Sequence, residues 1–164
     1  MTFVVRRAIE ADLPGILAIY NEAVAHTTAI WNDDPVDLAN RRAWVEARQN
    51  LGYPVLVADE AGAVIGYGSF GEFRAFQGYR HTVEDSLYVA EAARRRGVAA
   101  ALLGALIDEA QALKKHVMLA AITGGNEASI RLHARFGFAE MGRLREVGTK
   151  FGRWLDLVLM QRFL

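Results

Sequence analysis

Residues 81–122 read HTVEDSLYVAEAARRRGVAAALLGALIDEAQALKKHVMLAAI, and the periodicities in this stretch decide the fold. Positions 81–89 favour extended chain and end on Leu87-Tyr88-Val89. From Gly97 to Leu113 the spacing changes: Val98, Leu102, Leu106, Ala110 and Leu113 fall on one helical stripe, which Leu103 and Ile107 widen. His116 to Ile122 is an apolar run of strand length. A strand, a long helix and a second strand in that order demand parallel pairing, because the chain must cross back over the sheet before it pairs again.

Upstream, the β-rich runs 55–59 and 63–70 meet across Asp59-Glu60-Ala61-Gly62, a hairpin signal that demands antiparallel pairing. Thr2 to Ala8 reads as a first strand. Asp12 is placed to cap a helix carrying Leu13, Ile16, Leu17, Tyr20 and Val24, with Pro14 tolerated in its first turn. A second helix is expected from Asp34 as cap and Pro35 at its first position, through Trp44, to a stop near Gly52. Residues 71–80 read as a loop. Downstream, Asn126 to Phe136 is expected to be helical, and strands are expected near 139–146 and 154–163. The order β-α-α-β-β-β-α-β-α-β-β, with parallel pairing in its second half, describes an α/β (α+β) fold around one mixed sheet.

The 164 residues, 52% hydrophobic and 23% charged, suit a single domain, 1–164, with one core. Nineteen Lys plus Arg balance nineteen Asp plus Glu, so no global field gathers nucleic acid or an anionic membrane, and any anion must be bound locally. Zero cysteines exclude disulfides, thiolate metal sites and an acyl-cysteine intermediate. Residues 1–7 lack the apolar run of a secretory signal and no long apolar stretch follows, so a soluble, cytoplasmic chain is expected.

Arg94-Arg95-Arg96-Gly97-Val98-Ala99 stands between the 81–89 strand and the long helix. A helix N-terminus exposes unpaired N–H groups and a partial positive charge, so a glycine turn flanked by arginines suits a pyrophosphate. A solvated basic turn is the plainer alternative. The chain has neither the Gly-x-x-x-x-Gly-Lys-Ser/Thr of a nucleotide P-loop nor a Gly-x-Gly-x-x-Gly opening this helix, which leaves coenzyme A as the obvious pyrophosphate carrier.

A second constellation is Asn126-Glu127-Ala128-Ser129-Ile130-Arg131-Leu132-His133, closed by Phe136-Gly137-Phe138. An Asn opening a helix after a buried strand, a proton donor seven residues on and a closing Gly-Phe resemble the GNAT acyltransferase superfamily, as does the Arg-x-x-Gly-x-Ala turn. The chain is closer still to the phosphinothricin and methionine sulfone/methionine sulfoximine N-acetyltransferase branch, through Tyr20-Asn21, Thr27-Thr28-Ala29-Ile30-Trp31, Gly66-Tyr67, Phe73-Arg74, Tyr79 to Glu84 and Lys150 to Asp156.

The resemblance implies the GNAT fold, a mostly antiparallel twisted sheet of about seven strands with about four helices. It implies acetyl transfer from acetyl-CoA to the α-amine of a small amino acid analogue, by direct attack in a ternary complex, in a homodimer without a metal. The cofactor arm is then expected along Ser86, Leu87, Tyr88 and Val89, with a backbone N–H of that strand on the thioester carbonyl. The pyrophosphate falls on Arg94, Arg95, Arg96, Gly97, Val98 and Ala99, and Asn126 and Ser129 contact the arm. The acceptor is expected between Arg74, Ala75 and Phe76 on one wall and Thr82, Val83, Glu84 and Asp85 on the other. Two rival classes stay open: a peptide N-terminus or lysine as acceptor, and an acyl-CoA sensor without turnover.

Glu84 is a carboxylate in a strand that otherwise wants apolar residues, and it is the candidate base for an ammonium that must lose a proton before it attacks; a solvent-facing strand charge is the alternative. His133 stands where many superfamily members carry a tyrosine acid, and it could donate to a departing thiolate or help deprotonate the amine. Arg74 offers a guanidinium fork to a substrate carboxylate, with Arg80 the second choice. His26, His81, His116 and His133 lie too far apart for a metal helix, and Ser69 lacks the context of a nucleophile elbow.

Overall fold

The computed structural model describes residues 2–164, so Met1, where the expected domain of 1–164 begins, lies outside the described residues. The chain runs β1 Val4–Arg7, α1 Leu13–His26, α2 Leu38–Asn50, β2 Val55–Glu60, β3 Ala63–Glu72, β4 Thr82–Val89, α3 Val98–Ala112, β5 Val117–Thr123, α4 Glu127–Arg135, β6 Ala139–Lys150 and β7 Arg153–Phe163. Among the described residues these seven strands form one sheet in the order β1-β2-β3-β4-β5-β7-β6. The helical stripe of α3 does what its period demands. Val98, Leu102, Leu106 and Ala110 are each at most 1% exposed, and they cover a sheet face made by Phe70, Val83, Met118 and Val158. The opposite face is covered by α1 and α2 through Ile16, Ile19, Val24 and Val45 over Val55, Val57 and Tyr67.

The β2–β3 hairpin closes through Ala61 and Gly62, at φ 53° and 86°. Two left-handed residues match the right-handed twist of the flanking strands, and Asp59 Oδ1 accepts the Gly62 N–H at 2.7 Å. Only β4 and β5 pair in parallel; the other five strand pairs are antiparallel. The second strand-helix-strand unit therefore departs from expectation. The chain returns from α4 into β6, but β7 inserts between β5 and β6, so those two never pair.

One helix start differs from the sequence reading, and one expected cap spends its carboxylate elsewhere. Helix α2 begins at Leu38 with Asp37 as its cap, whose carboxylate accepts the Asn40 N–H at 2.8 Å. Asp34 and Pro35 precede it because Val36 is tied to α1, its N–H to Asn21 Oδ1 and its carbonyl to Asn21 Nδ2, both at 2.9 Å. Asp12 does stand at the N-cap of α1, but its carboxylate is taken by Arg6, at 2.7 and 2.8 Å, and by the Ile9 N–H.

The long β6 brings Lys150 under the segment that follows α1. Lys150 is 2% exposed, and its ammonium donates to the carbonyls of Val24 at 2.6 Å and Ile30 at 2.5 Å. Burial pulls its pKa down, yet two carbonyls and the nearby Phe151 ring face satisfy the cation. Next to it, Trp31 lies where a side chain on Gly148 would stand, and its indole N–H donates to Thr28 O at 3.0 Å and Thr123 Oγ1 at 2.9 Å. Residues 27–31 are thus fastened to the ends of β5 and β6. Gly148→Ala should destabilise the protein by about 1–3 kcal/mol through overpacking against Trp31. Gly142→Ala, where nothing lies within 4 Å, should change it little. Urea denaturation of both variants checks this, and equal losses would show that the Trp31 contact does not constrain the loop.

Candidate active site

Strands β4 and β5 pair at only three positions, Thr82 with Val117, Val83 with Met118 and Glu84 with Leu119. Beyond Glu84 each follows its other neighbour, β4 staying with β3 to Val89 and β5 with β7 to Thr123. The two strands part, and a cleft of about 140 Å³ opens through the sheet. Backbone alternation shows what lines it. The His81 carbonyl accepts from β5 residues while the Ala90 N–H donates to Ile65 of β3, so odd-numbered positions of β4 aim their backbone groups at β5. After the split, the N–H groups of Leu87 and Val89 therefore face the cleft without a strand partner. This is the expected seat for the cofactor arm, and Ser86, Leu87 and Tyr88 all line it.

At the far end, α3 opens on Gly97 at φ 84°, with no side-chain cap and nothing within 4 Å of where a Cβ would stand. The N–H groups of Val98, Ala99 and Ala100 precede the first intrahelical bond, from Ala101 to the Gly97 carbonyl, and stay free for an anion. Arg95 is also left-handed, at φ 61°. Arg96 pairs with Glu60 and Arg94 lies 3.8 Å from Glu22, which leaves the backbone N–H groups as the less committed donors at this turn. Free strand N–H groups leading to an uncapped glycine-opened helix fit a pantetheine arm and its pyrophosphate.

The two candidate proton-transfer residues approach the cleft from opposite faces. Glu84, with Ser86 and Tyr88, points to the α1/α2 side; Val83, Asp85 and Leu87 point to the α3/α4 side. Burial, and then the charge of Asp85, raise the Glu84 pKa above the ordinary carboxylate range. The Tyr88 hydroxyl is pushed up to about 12, chiefly by burial, and stays protonated.

His133 is 3% exposed and its ring stands edge-on to Phe138. Its Nδ1 lies 2.8 Å from the Ser129 carbonyl and its Nε2 3.1 Å from Asp85 Oδ2. Burial pulls its pKa down, but the hydrogen bond and charge of Asp85 and the Ser129 carbonyl outweigh this, so the net shift is upward. Asn126 caps α4, its Oδ1 accepting the Ser129 N–H at 3.2 Å, which leaves the amide NH₂ for the cleft it lines.

The expected acceptor walls are placed differently. Val83 is fully buried in the core, because the strand alternation that aims Glu84 at the α1 side turns Val83 away from it. Thr82 sits below the split, paired with Val117. Arg74, Ala75 and Phe76 are exposed and outside the cleft lining; Arg74 stacks on Phe73 with its guanidinium 5.1 Å from the ring centre. Arg80 is exposed and donates to the Gln77 carbonyl. The sequence reading assigned no role to Ala29, which roofs the cleft, or to the Asp85–His133 contact.

Residues 16–138 match the Acetyltransferase (GNAT) family, and the chain belongs to that family of acetyltransferases. Its particular place within it comes from whole-chain likeness. It is 59% identical to an L-methionine sulfoximine/L-methionine sulfone acetyltransferase of Pseudomonas paraeruginosa, over 98% of this chain and 94% of that protein. The fold superposes with a TM-score of 0.97 on a ribosomal-protein-alanine N-acetyltransferase from Brucella melitensis, 55% identical, covering 98% of this chain and 99% of the other. A Sinorhizobium meliloti phosphinothricin acetyltransferase in complex with acetyl-CoA also superposes at 0.97, with 41% identity over 100% of this chain and 89% of its own.

A raised histidine pKa means that the folded state holds its proton more tightly than the unfolded chain. The stabilisation is full below about pH 6.5, the ordinary histidine value, and is lost as pH rises through the raised one. The stability difference between the wild type and His133→Gln, whose amide can still donate to Asp85, should therefore shrink from pH 6 to pH 9 in urea denaturation. A difference that grows with pH would contradict the ion pair.

Proposed function

We propose that this single-domain chain is an acetyl-CoA dependent N-acetyltransferase for the α-amine of a small amino acid analogue: methionine sulfone, methionine sulfoximine or phosphinothricin. The observation that carries this reading is the split between β4 and β5, with free strand N–H groups in it and a half-buried carboxylate, Glu84, at its start. The named activities of the relatives supply the acceptor class.

Acetyl-CoA supplies an activated acyl group in a ternary complex, and the chain's own residues do the rest. The Gly97 turn and the N–H groups of Val98 and Ala99 hold the pyrophosphate, with Arg94, Arg95 and Arg96 around it. Leu87 or Val89 N–H stabilises the charge that develops on the carbonyl oxygen as the amine attacks, a contribution typically of about 3 kcal/mol. Glu84, whose raised pKa makes it a stronger base than an ordinary carboxylate, takes the ammonium proton. His133 acts at the departing sulfur. The Asn126 amide and Ser129 hold the cofactor arm.

We further infer a cytoplasmic homodimer. Among the described residues no helix is long and apolar enough to cross a membrane. Met141, Leu144, Val147 and Trp154 on β6 and β7, and Phe76 after β3, are exposed apolar side chains of the kind a second copy would cover. In such a dimer the Arg74-Ala75-Phe76 loop would close the acceptor side of the cleft. A second reading, a peptide N-terminus as acceptor, is favoured by the exposure of that loop in the single chain and by the name of the Brucella relative.

Thiol release from acetyl-CoA, followed with a disulfide dye, decides between them, because a chain without cysteine gives no background. Turnover on the sulfone, sulfoximine or phosphinothricin but not on alanine-ended peptide supports the first reading; the reverse supports the second. Glu84→Gln should lower kcat by about 10² or more with acetyl-CoA affinity intact. In the wild type kcat/KM should rise with pH through a value above the ordinary ~4.3 of a glutamate. Unchanged turnover in the variant would remove Glu84 from the chemistry.

A further inference from the structure

The cleft contains one buried ion pair that the reaction outlined above leaves without a purpose. Asp85 and His133 are 48 positions apart, each side chain is 3% exposed, and both line the cleft. A carbonyl oxygen only accepts, so the 2.8 Å contact between Nδ1 and Ser129 O requires the proton on Nδ1. A neutral ring would then turn the bare lone pair of Nε2 toward Asp85 Oδ2 at 3.1 Å, carboxylate against lone pair. With Asp85 ionised, the arrangement is satisfied only when Nε2 also carries a proton. No other charged side chain is hydrogen-bonded or ion-paired to the ring; from α4 it meets the Ser129 carbonyl, from β4 Asp85, and beside β6 the edge of Phe138. Glu84, the next residue along β4, points to the other face of the sheet.

Asp85 has no second hydrogen-bond partner among the described residues. Its Oδ1 is buried and unpaired, so His133 is the one side chain its carboxylate holds, and its charge reaches Glu84 only through space. An isolated buried ion pair is a poor source of stability, since taking both charges out of water offsets their attraction, and apolar residues of similar size often serve as well. The pair is better accounted for by what it does to the imidazole.

We propose that Asp85 is a positioning residue that holds His133 as an imidazolium, and so confines His133 to the acid's role and leaves the base's role to Glu84. This rests on the acetyl-transfer reading above. A ring with both nitrogens protonated has no lone pair with which to take the amine's proton. It does have a proton to give. As the C–S bond breaks, the electron pair passes to sulfur and the Nε2 proton, leaving its 3.1 Å bond to Asp85, follows it, yielding free thiol and neutral His133, while the amine's proton has gone to Glu84. Glu84 then returns its proton to solvent and His133 takes one up, drawn by the adjacent carboxylate, and the site is reset.

The test uses the full chain labelled with ¹⁵N-histidine, and compares wild type, Asp85→Asn and Asp85→Glu. In the wild type both ring nitrogens of His133 should carry protons at pH 7. In Asp85→Asn the titration of His133 should fall by about one pH unit or more, a tenfold change in its proton affinity. The alkaline limb of the kcat profile should fall with it while KM for acetyl-CoA is unchanged, and Asp85→Glu should recover part of both shifts. A titration unmoved by Asp85→Asn, or an alkaline limb that stays while the titration moves, would overturn the assignment. So would a neutral Nδ1–H ring in the wild type at pH 7, a result that needs no variant to fold. Absence of transfer to any amine by the wild type would count against the acetyl-transfer reading, and with it the acid's role. The titrations need no turnover and would still decide whether Asp85 sets the charge of His133.

Discussion

Three paired positions hold β4 to β5 before the strands separate, and the rest of the site depends on where that pairing stops. In an unbroken sheet the N–H groups of Leu87 and Val89 would be consumed by the next strand. Here each strand keeps its outer partner, β3 for one and β7 for the other, so the separation loses only the bonds between them. The freed groups are positioned by a rigid ladder on one side and cannot collapse onto another chain segment. Such preorganised donors act on developing charge without having to reorient during the reaction.

The same cut through the sheet separates the two candidate proton-transfer groups. Strand alternation alone puts Glu84 on the α1/α2 side and Asp85 on the α3/α4 side, and α4 brings His133 to the second of these. Two environments then act on two groups in different ways. Burial and a neighbouring carboxylate keep a proton on Glu84 to higher pH, which makes it a better base once ionised. The carboxylate that faces His133 raises the pKa of that ring against the pull of burial. Lys150, Trp31 and Thr123 fasten residues 27–31 across the α1 side, so Ala29 is held in the lining of the cleft.

Much of this was legible in the chain. The stripe from Val98 to Ala110, the Ala61-Gly62 turn and the Asn126 cap are local patterns whose physics acts over a few residues, and each appears where its spacing places it. The misplaced start of α2 shows the limit of local signals: Asp34-Pro35 is a good helix opening, but the bonds from Asn21 hold Val36 to α1 and move the start to Leu38. Of the candidate residues at the cofactor end, Ser86, Leu87, Tyr88, Asn126 and Ser129 line the cleft and Gly97 opens α3, whereas Val89 is not in the lining. The acceptor end was less legible. Val83 belongs to the core by strand parity, Arg74 lies on an exposed loop, and the Asp85 contact joins residues whose separation carries no local signal.

The free backbone donors in β4 are measured directly by residue-resolved amide exchange. In the protein alone, Leu87 and Val89 amides should exchange much faster than Ser86 and Tyr88, which are bonded to β3, and acetyl-CoA should slow Leu87 and Val89 selectively. Protection that alternates in the opposite sense, or acetyl-CoA protection confined to residues outside β4 and the Gly97 turn, would contradict this assignment.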